Sequence, residues 1–218
     1  MQNKKHATLY YFHDPMCSWC WGFRPTWLTL QKHLPENIKV EAVLGGLAPD
    51  SDKPMPQVMR AMLQDTWRKI HDELGAEFNF DFWSKNIPRR STYPACRAVI
   101  AASLQDNELE MIFAIQQAYY LRALNPSDDS VLLKVAEEIG LDTGQFKLAL
   151  NSKKTQNNLS KQVALAKSAM VQGYPSLVLE YSEPLVGKTE KIKQYPIPLN
   201  YKHYEVMLER INNVLVCQ

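Results

Sequence analysis

Residues 15–23 read PMCSWCWGF: two cysteines three positions apart, with a proline ahead of them and tryptophans beside them. Sulfurs that join and part without moving the backbone need Cα atoms about 4.4–6.8 Å apart. One helical turn sets residues i and i+3 at about that distance. The preceding run ATLYYFH (7–13) is β-branched and aromatic and predicts a strand. From Cys17 to about His33 apolar Trp19, Phe23, Trp27 and Leu30 are spaced four, four and three, which predicts a helix, with a kink at Pro25. The pair therefore belongs at a strand-to-helix junction. There Cys17 meets the unpaired N–H groups and positive end of the helix, which favour a thiolate. Cys20, one turn further in, is the more buried partner. This chemistry makes Cys17 the attacking thiol and Cys20 the resolving one.

Two other readings compete. Zinc needs two more ligands; His13 supplies one, but no second CxxC and no His pair at ligand spacing supplies the other. Two simple buried thiols are the plainer alternative, because free cysteine is among the most buried residue types. Four cysteines in 218 residues do not make a disulfide scaffold. The basic N-terminus is followed by no long apolar run and no segment approaches a membrane span, so the expected location is the cytoplasm, with no membrane partner. In that reducing compartment a CxxC reads as redox or metal chemistry. A net charge of +2 gives no reason to expect nucleic acid.

A second strand is predicted in NIKVEAVLGGL, ending at Gly45-Gly46. From about Met55 to Gly173 the pattern is helix after helix: 56–70, 93–105 (Ser91 or Thr92 as N-cap, Pro94 in the first turn), 107–124, 128–140, 142–152 and 157–173. Strand chemistry returns in PSLVLEY (175–181), with EPLVG (183–187) as a hairpin partner, a turn near Ser182-Glu183 and irregular chain to 199. YKHYEVMLERINNVL closes as an amphipathic helix. A βαβ unit and a ββα unit separated by helices imply one α/β sheet carrying a helical insertion, divided as 1–50 with 155–218 and 51–154.

Strand, DPMCSWCWGF, helical block and GYPSLVLE together resemble the DsbA-like branch of the thioredoxin superfamily, especially FrnE-like members and predicted protein-disulfide isomerases. STYPACRAVIAA (91–102) is similar to the start of that branch's insertion. The resemblance implies a thioredoxin fold with a large helical insertion and a thiol–disulfide oxidoreductase or protein-disulfide isomerase. In it Cys17 is the nucleophile, Cys20 resolves, Pro175 is the cis-proline facing the pair, and Tyr174 lends its backbone to an extended substrate. The implied partners are disulfide-containing peptides or proteins. No cofactor is implied; glutathione is a co-substrate that a sister branch brings into view. That branch, the kappa-type glutathione transferases and chromene-carboxylate isomerases, carries serine where this chain has Cys17. A third alternative is a chaperone-like binding module with the cysteines as a redox or zinc regulator.

Two departures stand out. Relatives place a buried acid six residues before the first cysteine, where this chain has Tyr11, leaving proton handling to water, His13 or a group not identifiable in the sequence. The Ser18-Trp19 dipeptide matches neither thioredoxin nor DsbA, so the resemblance sets no reduction potential. Trp19 and Met16 are expected to touch substrate. Ser18 tunes the thiolate, as does His13, expected as a partly exposed strand-end residue. Met55, Met59 and Met62 share a helix face and read as packing rather than as a substrate lid. Cys96 reads as a core thiol and Cys217 as an incidental terminal one. Arg89, Arg90 and Arg97 read as a solvated basic patch able to hold a carboxylate.

Overall fold

The computed structural model describes residues 7–169, 171–183 and 191–216. A four-stranded sheet is built from β1 (Ala7–His13), β2 (Ile38–Leu44), β3 (Ser176–Glu183) and β4 (Lys191–Ile197), in the order β2-β1-β3-β4. β1 and β2 are parallel, as their connection through helix α1 (Ser18–His33) requires; β1–β3 and β3–β4 are antiparallel. Alternation along β1 sends side chains to two layers. Leu9 and Tyr11 pack with Phe23, Trp27 and Leu30 of α1 and with Met207 and Ile211 of the C-terminal helix (Tyr204–Val216). Tyr10 and Phe12 face the other way, toward Val178, Ala166 and Ala169.

Among the described residues, seven helices lie between β2 and β3: α2 (Gln57–Leu74), α3 (Phe82–Lys85), α4 (Tyr93–Ser103), α5 (Glu108–Tyr120), α6 (Asp129–Glu138), α7 (Thr143–Leu150) and α8 (Lys153–Ser168). The closing helix is α9. Fold class and element order follow the expectation: a thioredoxin-like α/β fold with a helical block between its two halves. Helix α1 runs through Pro25 unbroken. The block has its own core, in which Trp67 is almost fully enclosed and packs against Phe78, Phe82, Trp83, Tyr119 and Tyr120. Met16 and Leu44, from the sheet side, join that cluster.

The hairpin differs from its expectation. No turn falls at 182–183, because β3 continues through Glu183, and most of the predicted partner 183–187 lies outside the described residues. The strand that pairs with β3 is β4, in the stretch read as irregular. Pro196 obscured it, yet β4 is the sheet edge, where a strand needs no N–H on its outer side. Cys217 also lies outside the described residues.

Removing the Trp67 indole empties the middle of the helical core. Trp67→Ala is expected to lower unfolding free energy by about 3–5 kcal/mol, measured by urea denaturation.

Candidate active site

β1 ends at His13, and the turn Asp14-Pro15-Met16 delivers Cys17 to the N-cap of α1. The Cys17 N–H donates to the Asp14 carbonyl (3.0 Å), and the Cys17 carbonyl accepts the Trp21 N–H (3.1 Å), the first bond of the helix. Both thiols are free; Cys17 is 6% exposed and Cys20 1%. The Cys17 Sγ lies 3.2 Å from the Tyr174 carbonyl oxygen, to which its S–H donates. The Tyr174–Pro175 peptide is cis. Tyr174 is itself seated by its hydroxyl, which donates to the Gly45 carbonyl (2.9 Å), and by its ring, which lies close against Gly45. A Cβ on Gly45 would sit 1.9 Å from the ring, so only glycine fits.

Position 11 holds no acid, but Asp14, three residues before Cys17, is a completely buried one. Its Oδ1 accepts the Met16 N–H (2.8 Å); its Oδ2 accepts the Leu47 N–H (2.7 Å), the Thr92 hydroxyl (2.6 Å) and, at 3.6 Å, the Cys96 thiol. One carboxylate thus joins the CxxC turn, the loop after β2 and the start of α4. Burial raises the Asp14 carboxyl above the ordinary range, and these four donors pull it back. Thr92 is the N-cap residue of α4, but its side chain does not cap the helix, being engaged with Asp14.

Burial pushes the Cys20 thiol well up, and its hydrogen bond to Cys17 and the charge of Cys17 push the same way. Tyr11 contacts Cys20 through its hydroxyl and is likewise raised by burial. His13 is 1% exposed, correcting the expectation of a partly exposed residue. β1 is an inner strand of the sheet, and the His13 imidazole stacks parallel to the Tyr11 ring 5.0 Å away. Burial lowers it to a pKa of about 4.

In front of Cys17 is a groove of about 330 Å3. Met16, Ser18 and Trp19 line it beside Cys17, Met55, Leu63 and Trp67 line it from the helical block, and Tyr174 lines it from the segment before β3. Trp19 packs edge-on against Tyr201 and is half-exposed; Trp21 turns away, stacks on Tyr120 and donates its indole N–H to the Glu77 carbonyl. The methionine stripe splits: Met55 is buried, Met59 packs against the core and Met62 is exposed. Cys96 is buried, as expected of a core thiol. The arginines split too. Arg97 pairs with Asp50 and Arg89 with Asp128, while Arg90 is exposed on the groove rim. Asp14 and Gly45 were missed in the sequence; Asp-Pro before a helix is a turn signal that pointed to Asp14.

The sequence profile of a family described as thioredoxin matches residues 10–201, nearly the whole chain. The chain belongs to this family. Among solved structures it resembles a Nitrosomonas europaea protein with a proposed role as protein disulfide isomerase: TM-score 0.80, 25% identity, 98% of this chain and 99% of that one covered. It also resembles the cytosolic disulfide reductase DsbM of Pseudomonas aeruginosa, at TM-score 0.69 and 20% identity over 97% of this chain and all of that one. Curated relatives include the ClpXP adapter protein SpxH of Halalkalibacterium halodurans, 27% identical over 81% of this chain and 60% of that protein. SpxH of Bacillus subtilis is 27% identical over 80% and 58%. The chain thus spans about three-fifths of the length of these SpxH relatives. Among the described residues, no group of three or more His, Cys, Asp or Glu side chains could hold a metal ion, and no helix is long and apolar enough to cross a membrane.

Two measurements test this site. Asp14→Ala leaves buried donors without an acceptor and is expected to cost at least about 3 kcal/mol of stability in urea denaturation. His13 takes up its proton near pH 4 when folded and near 6.5 when unfolded. Between those values only the unfolded chain holds the proton, so falling pH favours unfolding by about 1.4 kcal/mol per unit. From pH 7 to 5 the wild type is expected to lose about 2 kcal/mol more stability than His13→Phe, which does not titrate.

Proposed function

We propose that the protein is a thiol–disulfide oxidoreductase, with protein-disulfide isomerisation as its specialisation, acting on disulfide-bearing polypeptides in the cytoplasm. The observation that carries this reading is the placing of the Cys17 sulfur 3.2 Å from the Tyr174 carbonyl at the head of a partly apolar groove, with Cys20 buried one helical turn behind. Cys17, as thiolate, attacks one sulfur of a substrate disulfide; that S–S bond breaks and the other sulfur leaves as thiolate. Cys20 then attacks the Cys17 sulfur, the mixed disulfide breaks, and the second substrate thiolate departs. Two electrons pass from the pair to the substrate, leaving a Cys17–Cys20 disulfide that an external thiol reduces. Tyr174, followed by the cis-bonded and buried Pro175, borders the path of an extended chain, and Met16, Trp19 and Met55 offer apolar contact.

Glutathione fits as the small thiol that recycles the pair: a neighbouring structure is DsbM with GSH, and here the exposed Arg90 offers a cation to a carboxylate at the groove rim. A second reading follows from the SpxH relatives, which are ClpXP adapters. In it the groove docks a protein client and the thiols are dispensable. The two readings part at one residue. Cys17→Ser is expected to abolish insulin reduction, and Cys20→Ser to accumulate a mixed disulfide on Cys17 that mass spectrometry detects. Undiminished turnover by Cys17→Ser overturns the oxidoreductase reading.

A further inference from the structure

Cys20 faces two ways. Toward the groove it meets Cys17; on its other side it lines a separate cavity of about 90 Å3. Tyr11 and His13 enter this chamber from β1, Arg24 from α1 and Gln116 from α5, while β2 contributes only Val40 and Ala42. Two polar atoms of the lining side chains have no hydrogen-bond partner: His13 Nε2 and Gln116 Oε1, in side chains 1% and 3% exposed. An unpartnered buried polar atom is destabilising, and where protein supplies no partner, water does. The chamber has room, since one water needs on the order of 10–15 Å3. Its rim includes Leu28 and Leu109, 40% and 71% exposed, so it opens toward bulk solvent.

The resolving step needs such a path. While a substrate is disulfide-bonded to Cys17, the groove side of Cys20 is covered, yet the buried thiol must lose its proton to become a nucleophile. We infer that the chamber behind Cys20 is the proton path of this step, a short file of waters held by His13 Nε2 and Gln116 Oε1 that takes the Cys20 proton to solvent. The inference rests on the exchange reaction proposed above. In that step the Cys20 S–H bond breaks, the Cys17–Cys20 S–S bond forms, the Cys17–substrate S–S bond breaks, and the substrate sulfur leaves with the electron pair. The Cys20 proton exits through the chamber to bulk water.

The charged and titratable surroundings suit this direction of transfer. The Arg24 guanidinium lines the chamber and lies 4.1 Å above the Phe113 ring, with Glu110 of α5 and Tyr11 of β1 within its field. Its positive charge opposes a proton lingering in the chamber. The Tyr11 hydroxyl touches Cys20, Cys17 lies on the groove side, and Asp14 acts on Cys20 from the CxxC turn. His13 and Gln116 do not attack anything; they are positioning residues that order the water.

The aromatic disulfide DTNB separates the two thiol steps in stopped flow. Attack by Cys17 releases the first coloured thiolate, and resolution by Cys20 releases the second. His13→Ala and Gln116→Leu are each expected to lower the ratio of the second rate constant to the first by about tenfold or more. Imidazole added to His13→Ala, where it can occupy the vacated ring site, is expected to restore the ratio, a rescue that a purely structural role would not give. An unchanged ratio in both variants overturns the inference, as does equal slowing of both phases. If His13→Ala fails to fold, Gln116→Leu alone decides. A wild type without a first phase overturns the exchange reading itself, whereas a normal first phase with an unaffected second overturns the proton path alone.

Discussion

The Asp14 carboxylate organises the surroundings of Cys17. A buried carboxylate is costly to desolvate, and it is tolerated where donors surround it. Here the donors come from its own turn, from the loop after β2 and from the first residues of α4. Those segments are distant in sequence, and the helical block is docked onto the sheet through one of them. The carboxyl therefore acts as a local assembly point, tying the turn that presents Cys17 to the first residues of the insertion helix. Thr92 illustrates the priority, giving up the capping of its own helix to meet Asp14.

Around this point the two thiols occupy different media. Cys17 lies at the head of an open groove whose walls mix sulfur, aromatic and aliphatic surface with an arginine at the rim. Cys20 is enclosed, with Tyr11 against it and behind it a small, largely apolar void that His13 and Gln116 also line. Burial opposes ionisation of Cys20, so the pair is asymmetric by surroundings rather than by residue type. The tryptophans divide in the same manner. Trp19 borders the groove, and Trp21 ties α1 to the aromatic core of the insertion through Tyr120 and the Glu77 carbonyl.

Much of this architecture was legible in the residues. The strand-to-helix junction at Cys17 and the order of elements follow from hydrophobic period and from proline and glycine positions, which are local signals. What stayed hidden depends on contacts across the chain. β4 was masked by Pro196, because whether a strand tolerates proline depends on its being an edge, a property of the sheet. His13 read as a strand end, yet β1 is flanked by strands on both sides and its last residue is covered. Gln116 carries no signal at all within an apolar helix; only the packing of α5 against the back of Cys20 gives it a place.

The contacts around Cys17 close on themselves. Its sulfur meets the Tyr174 carbonyl; the Tyr174 hydroxyl holds Gly45; two residues on, Leu47 holds Asp14; Asp14 holds Met16, the neighbour of Cys17. In mechanical terms this is a closed linkage of short bars, and such a linkage has few soft modes. It holds the Cys17 sulfur at the head of the groove. On the exchange reading proposed above, a disulfide comes to the Cys17 sulfur rather than the reverse, which favours disulfides that protrude or that sit in chains loose enough to bend toward it.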